Sequence, residues 1–547
     1  MTARTIGSVL NEVFAAAGAE GVPVSGTSLR DLFRWPPNAF AVTSLLLGDS
    51  GAYRRCISPP ATEGWPPLPR RQWVDQVREA AGEWQEWALP EEENPNPSPP
   101  SAVSKWIDLL VGAETLELVT LGSSSEAWEV CSVLLQLHAT ADEASEGMGF
   151  FIPVAPEIND VQKAIIYVAN EELAQRGTLA RLSPHFVRVL PKRRTPQTGI
   201  SLRSLSHHLA IVRGEVEVKW RLVPTKDLEE ERRFNLLVLP WPREVVPTDF
   251  RALPASESGN ALAMDSSLFA FFDFNPPFDL EKELNLLGEV VDRAVRHVGQ
   301  IDGVAFPECA LPAETVATIE ETLAKKGVKL FISGVRGPRQ NSAYLSTFYD
   351  QCWTGHEQTK HHRWCLDDAQ ITSYGLGPAL HPARRWWENI EIHRRALHFV
   401  TVSDWLTMCH LVCEDLARQD PVAHAVRSVG PTLVLALLLD GPQLRDRWSA
   451  RYATVLADDP GSSVLSITSL GMALRSVPPG TTPSRVIALW KDSLSSAREI
   501  SLAPGAAGVV LNICAKQGAL EYSADTRDDK GASTVLVLAG VEQIAGA

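Results

Sequence analysis

No stretch of this chain is apolar for long enough to cross a bilayer. The most apolar run, Leu433–Leu439 (LVLALLL), falls far short of the roughly 20 residues a spanning helix needs. The opening MTARTIGSVLNEVFAAAGAE is weakly amphipathic and lacks the unbroken apolar core of a signal peptide. A paired cysteine framework is also missing. The eight cysteines, at 56, 131, 309, 352, 365, 409, 413 and 514, read as reduced thiols of a cytosol. Excess positive charge is absent: 51 Lys and Arg face 66 Asp and Glu, a net charge of −15. That balance excludes a surface built to coat nucleic acid but leaves room for a local basic groove. In the middle region, about residues 103–232, neither a nucleotide-binding glycine loop nor a paired-aspartate polymerase motif is present. The expectation is a cytoplasmic chain with no membrane association.

What is present is ample apolar material, 45% of 547 residues, enough for two or three cored domains. Composition divides the chain into a helical and loop-rich region 1–95, an α/β accessory region 96–232 and an α/β domain 233–547. Residues 26–72, with Trp-Pro-Pro and Pro-Pro punctuation, read as loop-rich. Gln72–Trp87 reads as a helix, and acidic, proline-rich Leu89–Ala102 as a linker. In the middle region Val103–Val111, Ser125–His138 and Ile158–Gln175 read as helices, with Gly149–Val154 and Glu215–Leu222 as strands. Lys192-Arg193-Arg194 reads as a solvated turn, with phosphate contact as the rival. His207-His208, opened by Ser204-Leu205-Ser206, reads as a cap or turn rather than a metal fragment. From residue 233 strands alternate with single helices, the pattern of layered α/β packing.

Three stretches carry chemistry. Leu406–Val412 is an apolar strand that stops abruptly at Cys413-Glu414-Asp415. A cysteine at such an exit places its sulfur at the sheet edge, among backbone N–H groups able to hold an oxyanion. A small buried hydrophobe is the bland alternative. Asp302–Leu311 (DGVAFPECAL) is a short strand ending at Pro307-Glu308, and Gln358–Asp368 (QTKHHRWCLDD) sets Lys360 among histidines and aromatics. Taken singly, Glu308 reads as an exposed strand-end carboxylate and Lys360 as a solvated loop lysine.

In chain order, a strand-end Glu (Val304-Ala305-Phe306-Pro307-Glu308), a loop Lys and a strand-end Cys (Leu411-Val412-Cys413-Glu414-Asp415) resemble the nitrilase, or carbon–nitrogen hydrolase, superfamily over about residues 266–540. The resemblance implies a C-terminal αββα sandwich and hydrolysis of a non-peptide carbon–nitrogen bond, an amide sooner than a nitrile. It gives Cys413 the role of nucleophile, Glu308 that of general base and Lys360 that of oxyanion partner, with no cofactor and no metal. A nearby lysine would favour the thiolate of Cys413, and the strand exit would leave it accessible. Asp368, eight residues beyond Lys360, is the accessory carboxylate candidate, with Asp367 its rival. Glu414, the acidic residue after the cysteine, is a second accessory candidate. Tyr374–Arg395, extra length between Lys360 and Cys413, is expected to form a lid, pocket wall or dimer contact. Cys352, His356, His361 or His362, and Cys365 form a rival zinc set with irregular spacing. The resemblance also implies a homodimer or higher homo-oligomer, with candidate faces on helices 421–429 and 442–457, where Leu444, Trp448, Tyr452 and Val455 recur. The alternative function is a nitrilase-like effector or accessory module of a larger bacterial phage-defence, reverse-transcriptase-linked system. Such a module would meet a protein or nucleic-acid partner through its N-terminal half.

Overall fold

A computed structural model of the chain describes residues 3–57, 70–90, 94–149, 160–193, 202, 206–213, 216–223, 232–253, 268–349, 351–393, 395–403, 405–477, 481–520 and 532–546. Most of the expected strand Gly149–Val154, together with Arg194 and Ser204-Leu205, lies outside these residues. The chain forms two compact units, one of residues 1–222 with 424–431 and 517–533, the other of 223–423, 432–516 and 534–547.

The first unit is mainly helical. Residues 26–72, expected to be loop-rich, contain the helices Gly26–Phe33, Pro36–Ser50 and Tyr53–Ile57. The prolines that suggested loop stand instead in the first turn of a helix, where the missing N–H has no partner to lose and φ is already helical. That helix is buried without a break from Pro36 to Leu47 and packs against Trp128–Ala144, as does Arg70–Ala88. Helices from both sides of residue 95 thus share one core. Asp142 ties down the segment around the histidine pair, its carboxylate accepting the N–H groups of His207 at 2.6 Å and Leu209 at 2.8 Å. Lys192 does not sit in a solvated turn. It is 2% exposed, and its ammonium donates to the Ser206 carbonyl, the kind of partner a buried cation requires.

Among the described residues the second unit is a mixed α/β body with three sheets. One runs in the order Cys352–Thr359, Gln340–Tyr349, Leu330–Gly337, Gly303–Ala305, Arg233–Val238, Ala506–Leu520, Ala532–Ala545. Its central strands Arg233–Val238, Gly303–Ala305 and Leu330–Gly337 are parallel, and their apolar residues pack with Leu280–Val298 and Val316–Lys325. A second runs Arg498–Ser501, Val486–Lys491, Ser463–Thr468, Leu433–Leu438, Thr407–Val412, Ala396–Thr401, with three parallel strands at its centre. These strands read as continuous apolar runs because they are buried on both faces. The third, small sheet joins Cys365–Leu366, Arg385–Glu388, Phe269–Phe274 and Phe250–Leu253. It closes over an aromatic cluster of Phe250, Phe272, Trp364, Tyr374 and Trp386 that also takes in Cys309 and Leu439. Among the described residues no helix is long and apolar enough to cross a membrane.

Candidate active site

Parallel strands deliver their C-terminal ends to one edge, so chain segments distant in sequence converge there. Gly303–Ala305 leads through Phe306-Pro307 to Glu308, and Thr407–Val412 leads to Cys413. Lys360 follows directly on Cys352–Thr359. Glu308 is 0%, Lys360 1% and Cys413 5% exposed. The Lys360 ammonium donates to Glu308 Oε1 at 2.8 Å and to Glu388 Oε2 at 2.7 Å. Asn341 Nδ2 donates to Glu308 Oε1 at 2.7 Å and Glu388 Oε1 at 2.6 Å, bridging the two carboxylates. The Leu439 N–H, just beyond Leu433–Leu438, fixes the other oxygen of Glu308 at 2.6 Å, and the Trp364 N–H donates to Glu388 at 3.1 Å. One ammonium and two carboxylates are therefore held from five chain segments.

The electrostatics follow from burial and from these partners. Desolvation raises the Glu308 carboxyl above its ordinary 4.5, Lys360 opposes that shift, and Glu388 adds to it. For Lys360, desolvation alone would lower the pKa, but Glu308, Glu388 and Cys413 together raise it well above 10.5. Cys413 is therefore near enough to the pair to feel both charges. Burial, and then Glu308, push its thiol well above 9.0 against the pull of Lys360. The expectation of an accessible cysteine is corrected here: the side chain is buried, and burial works against the thiolate that Lys360 favours. Its backbone is strained, with φ of 48°, and Cys309, next to Glu308, has φ of 55°. Non-glycine residues adopt this left-handed region at a cost, and they cluster at functional sites.

The two accessory candidates lie apart from this cluster. Asp368 is exposed in the first turn of the helix Asp368–Ser373, and its rival Asp367 caps that helix by accepting the Gln370 N–H at 2.8 Å. Among the described residues neither pairs with Lys360; Glu388 does. Glu414 is half-buried and pairs with Arg418 at 3.0 Å. The rival zinc ligands do not converge either. Cys352 is exposed, His356 stacks on His398 at 5.9 Å, and His362 Nδ1 lies 3.0 Å from Asp415 Oδ1. Among the described residues the His, Cys and carboxylate groups close enough to share an ion are Glu143, Glu146 and His208, and Glu308, Cys309 and Glu388. In the second set the Lys360 ammonium already lies between the carboxylates.

Sequence reading missed Glu388, Asn341 and Gly334. Glu388 comes from the segment expected to be a lid or wall, where the strand Arg385–Glu388 buries Trp386 and Glu388 in alternation. That period of two in RWWE was the available signal. Gly334 packs its backbone on the Glu308 loop so closely that a Cβ would lie 2.3 Å from Glu308 Cα. Arg336 braces the same loop, donating to the carbonyls of Cys309 at 2.8 Å and Ala310 at 2.9 Å.

No protein-family profile and no curated relative matches the chain. Solved structures similar to it include Nit3 of Saccharomyces cerevisiae, described as a member of branch 10 of the nitrilase superfamily. That likeness has 9% identity, covers 49% of this chain and 86% of the other, and has a TM-score of 0.31. A carbon–nitrogen hydrolase from Helicobacter pylori G27 is similar at 11% identity, over 50% of this chain and 86% of its own, with a TM-score of 0.30. The NitFhit protein of C. elegans is similar at 11% identity over 50% of this chain and 58% of its own, with a TM-score of 0.29.

Proposed function

We propose that this chain hydrolyses a non-peptide carbon–nitrogen bond, that of an amide, through a thioester on Cys413, within an αββα sandwich formed by the second unit. The observation that carries this reading is the solvent-free cluster in which Lys360 is clamped between Glu308 and Glu388 beside a strained cysteine. Glu308 takes the proton of the Cys413 thiol as the sulfur attacks the amide carbon, a proton transfer of general-base type. The Lys360 ammonium faces the oxyanion that develops, an interaction strengthened where water is excluded. Collapse breaks the C–N bond, and Glu308 returns the proton to the leaving amine. Glu308 then activates the water that cleaves the thioester. Glu388 and Asn341 keep base and cation in register throughout.

The test is intact-mass spectrometry after exposure to pooled amides and nitriles, followed by peptide mapping. An acyl adduct on Cys413 is expected; an adduct on another cysteine, with Cys413 unmodified, sinks the assignment. The burial of Glu308, Lys360 and Cys413 favours a second reading, in which the site is a conditional effector that opens only with a protein or nucleic-acid partner. Turnover by the purified chain alone would exclude it.

A further inference from the structure

The histidine pair at 207–208 has no metal-ligand partner near it in sequence, and the fold brings carboxylates to it. The helix Trp128–Ala144 ends beside it with Asp142 and Glu143 in its last turn, and Glu146 follows just beyond. One ligand atom each from Glu143, Glu146 and His208 lies within 4.8 Å of the other two. Asp142 stands outside that set and fixes it. Its carboxylate accepts the N–H groups of His207 at 2.6 Å, His208 at 3.1 Å and Leu209 at 2.8 Å. The backbone that aims the His208 ring is thus held by the same helix turn that carries Glu143. His208 Nε2 is buried and has no hydrogen-bond partner, and Glu143 Oε2 lies 3.5 Å from it. That separation is long for a hydrogen bond between ionisable groups. It is close to the edge, about 3.4 Å, of a tetrahedron whose N and O ligands stand roughly 2.0–2.2 Å from a central Zn²⁺. The carboxylates also sit at the C-terminal end of a helix, the negative pole of its macrodipole, where a cation is stabilised. Glu143 is 7% exposed and Glu146 exposed, so an ion reaches the buried ligands by way of Glu146.

We propose that Glu143, Glu146 and His208 form a binding site for a divalent transition-metal ion, Zn²⁺ by the chemistry of the donors. The inference is independent of the hydrolase reading. An imidazole nitrogen beside carboxylates suits zinc, whereas magnesium and calcium take oxygen ligands. The two carboxylates neutralise the charge of the ion, and three protein ligands leave a fourth position for water. His208 leads into the strand Leu209–Val212, so the ion clasps that strand to the C-terminal end of the helix Trp128–Ala144. Binding to the folded arrangement alone stabilises the first unit by mass action.

The test uses the full chain, purified without a polyhistidine tag and stripped with EDTA, with Zn²⁺ and Co²⁺ as probes. Zn²⁺ should bind at one equivalent per chain and raise the melting temperature in step with its concentration. Co²⁺ should give visible d–d absorption without the thiolate-to-cobalt charge-transfer band of a cysteine site. Glu146→Gln, at an exposed position, should weaken binding at least about tenfold, since losing even a supporting partner of a metal ligand costs that much. His208→Gln should do the same, and His207→Gln should leave the affinity unchanged. Absence of a zinc-dependent rise in melting temperature overturns the site. Equal affinity in the wild type, Glu146→Gln and His208→Gln overturns it too, as does a cobalt spectrum dominated by thiolate.

Discussion

Glu308, Glu388 and Lys360 set two carboxylates against one ammonium where solvent does not reach, and this imbalance separates the expected effects of substitution. Glu308→Gln keeps the shape, removes the proposed base and leaves Lys360 and Glu388 as a neutral pair. Turnover should drop by about two to four orders of magnitude, the usual span for a general base. Both Glu308 oxygens accept hydrogen bonds, so the Gln amide nitrogen must face one donor, which should lower stability by about 1–3 kcal/mol. Lys360→Met leaves two carboxylates buried with no cation, and stability should fall by about 3–5 kcal/mol. A urea series on the two variants decides: equal destabilisation would make Glu308 a structural group. The raised pKa values fix the pH dependence. Glu308 must be ionised to act as base, so the acid limb of kcat/KM should lie above its ordinary 4.5; a limb at or below 4.5 would exclude it from that role. For stability the two groups share one sign, opposite to that of the acid limb of activity. The raised Glu308 pKa favours folding below 4.5, and that contribution is lost as pH rises through the folded value. Lys360 contributes in full below 10.5 and loses its contribution as pH rises through its own raised value.

At the scale of elements, Glu308 is held by a strand it is not part of. The strand Leu330–Gly337 brings Gly334 against the Glu308 loop, and the Gly334 N–H donates to the Pro307 carbonyl at 3.1 Å. An added methyl group would meet backbone on that loop at under 3 Å, so the loop must move. Gly334→Ala should therefore cut turnover at least as deeply as Glu308→Gln and also lower the melting temperature; full activity would show that the loop can yield. The small sheet plays the same part for Glu388. Trp364, 6% exposed, stands edge-on to Phe272 at 5.9 Å and Tyr374 at 6.0 Å, while its own N–H holds Glu388. Trp364→Ala should cost about 3–5 kcal/mol, as core aromatic truncations do, and reduce turnover as Glu388 loosens. Denaturant unfolding and turnover on the same samples would expose any uncoupling of the two. These dependences explain what could be read beforehand. Strands such as Gly303–Ala305 and Thr407–Val412 announced themselves as short apolar runs with polar stops, so Glu308 and Cys413 were legible. Glu388 was not, because its strand of four residues pairs in parallel with Phe269–Phe274, a partner more than a hundred residues earlier. Asn341 was hidden differently, since nothing local distinguishes a buried polar bridge from the solvent-facing residue of an alternating strand. Pro36-Pro37 misled because the same prolines that break a helix also begin one.

For the whole molecule the open question is association. The helix Trp448–Asp458 turns Ser449, Ala450, Ala453, Leu456 and Ala457 inward, and that small-residue face packs against the strands Ser463–Thr468 and Val486–Lys491. The stripe noted in the sequence is thus not the face committed to the sheet. Leu444, Trp448 and Tyr452 are half-buried and Val455 is 36% exposed. Trp448 and Tyr452 stand edge to face, their rings 6.3 Å apart. A homodimer through this stripe would remove them from water, and a stable one would need about 1,200–2,000 Å² of total buried surface. Trp448 also gives the stripe a physical link to the site. Its Nε1 donates to Asp440 Oδ2 at 2.9 Å, Asp440 directly follows the Leu439 amide that holds Glu308, and its charge acts on Cys413. Light scattering at micromolar concentration should therefore find twice the 59.8 kDa chain mass. Tyr452→Arg, which places a charge in the stripe without touching Asp440, should yield monomer with reduced turnover. A wild-type species that is monodisperse at the chain mass and fully active would rule the dimer out. A monomeric Tyr452→Arg variant with undiminished turnover would leave the dimer standing and break its link to catalysis.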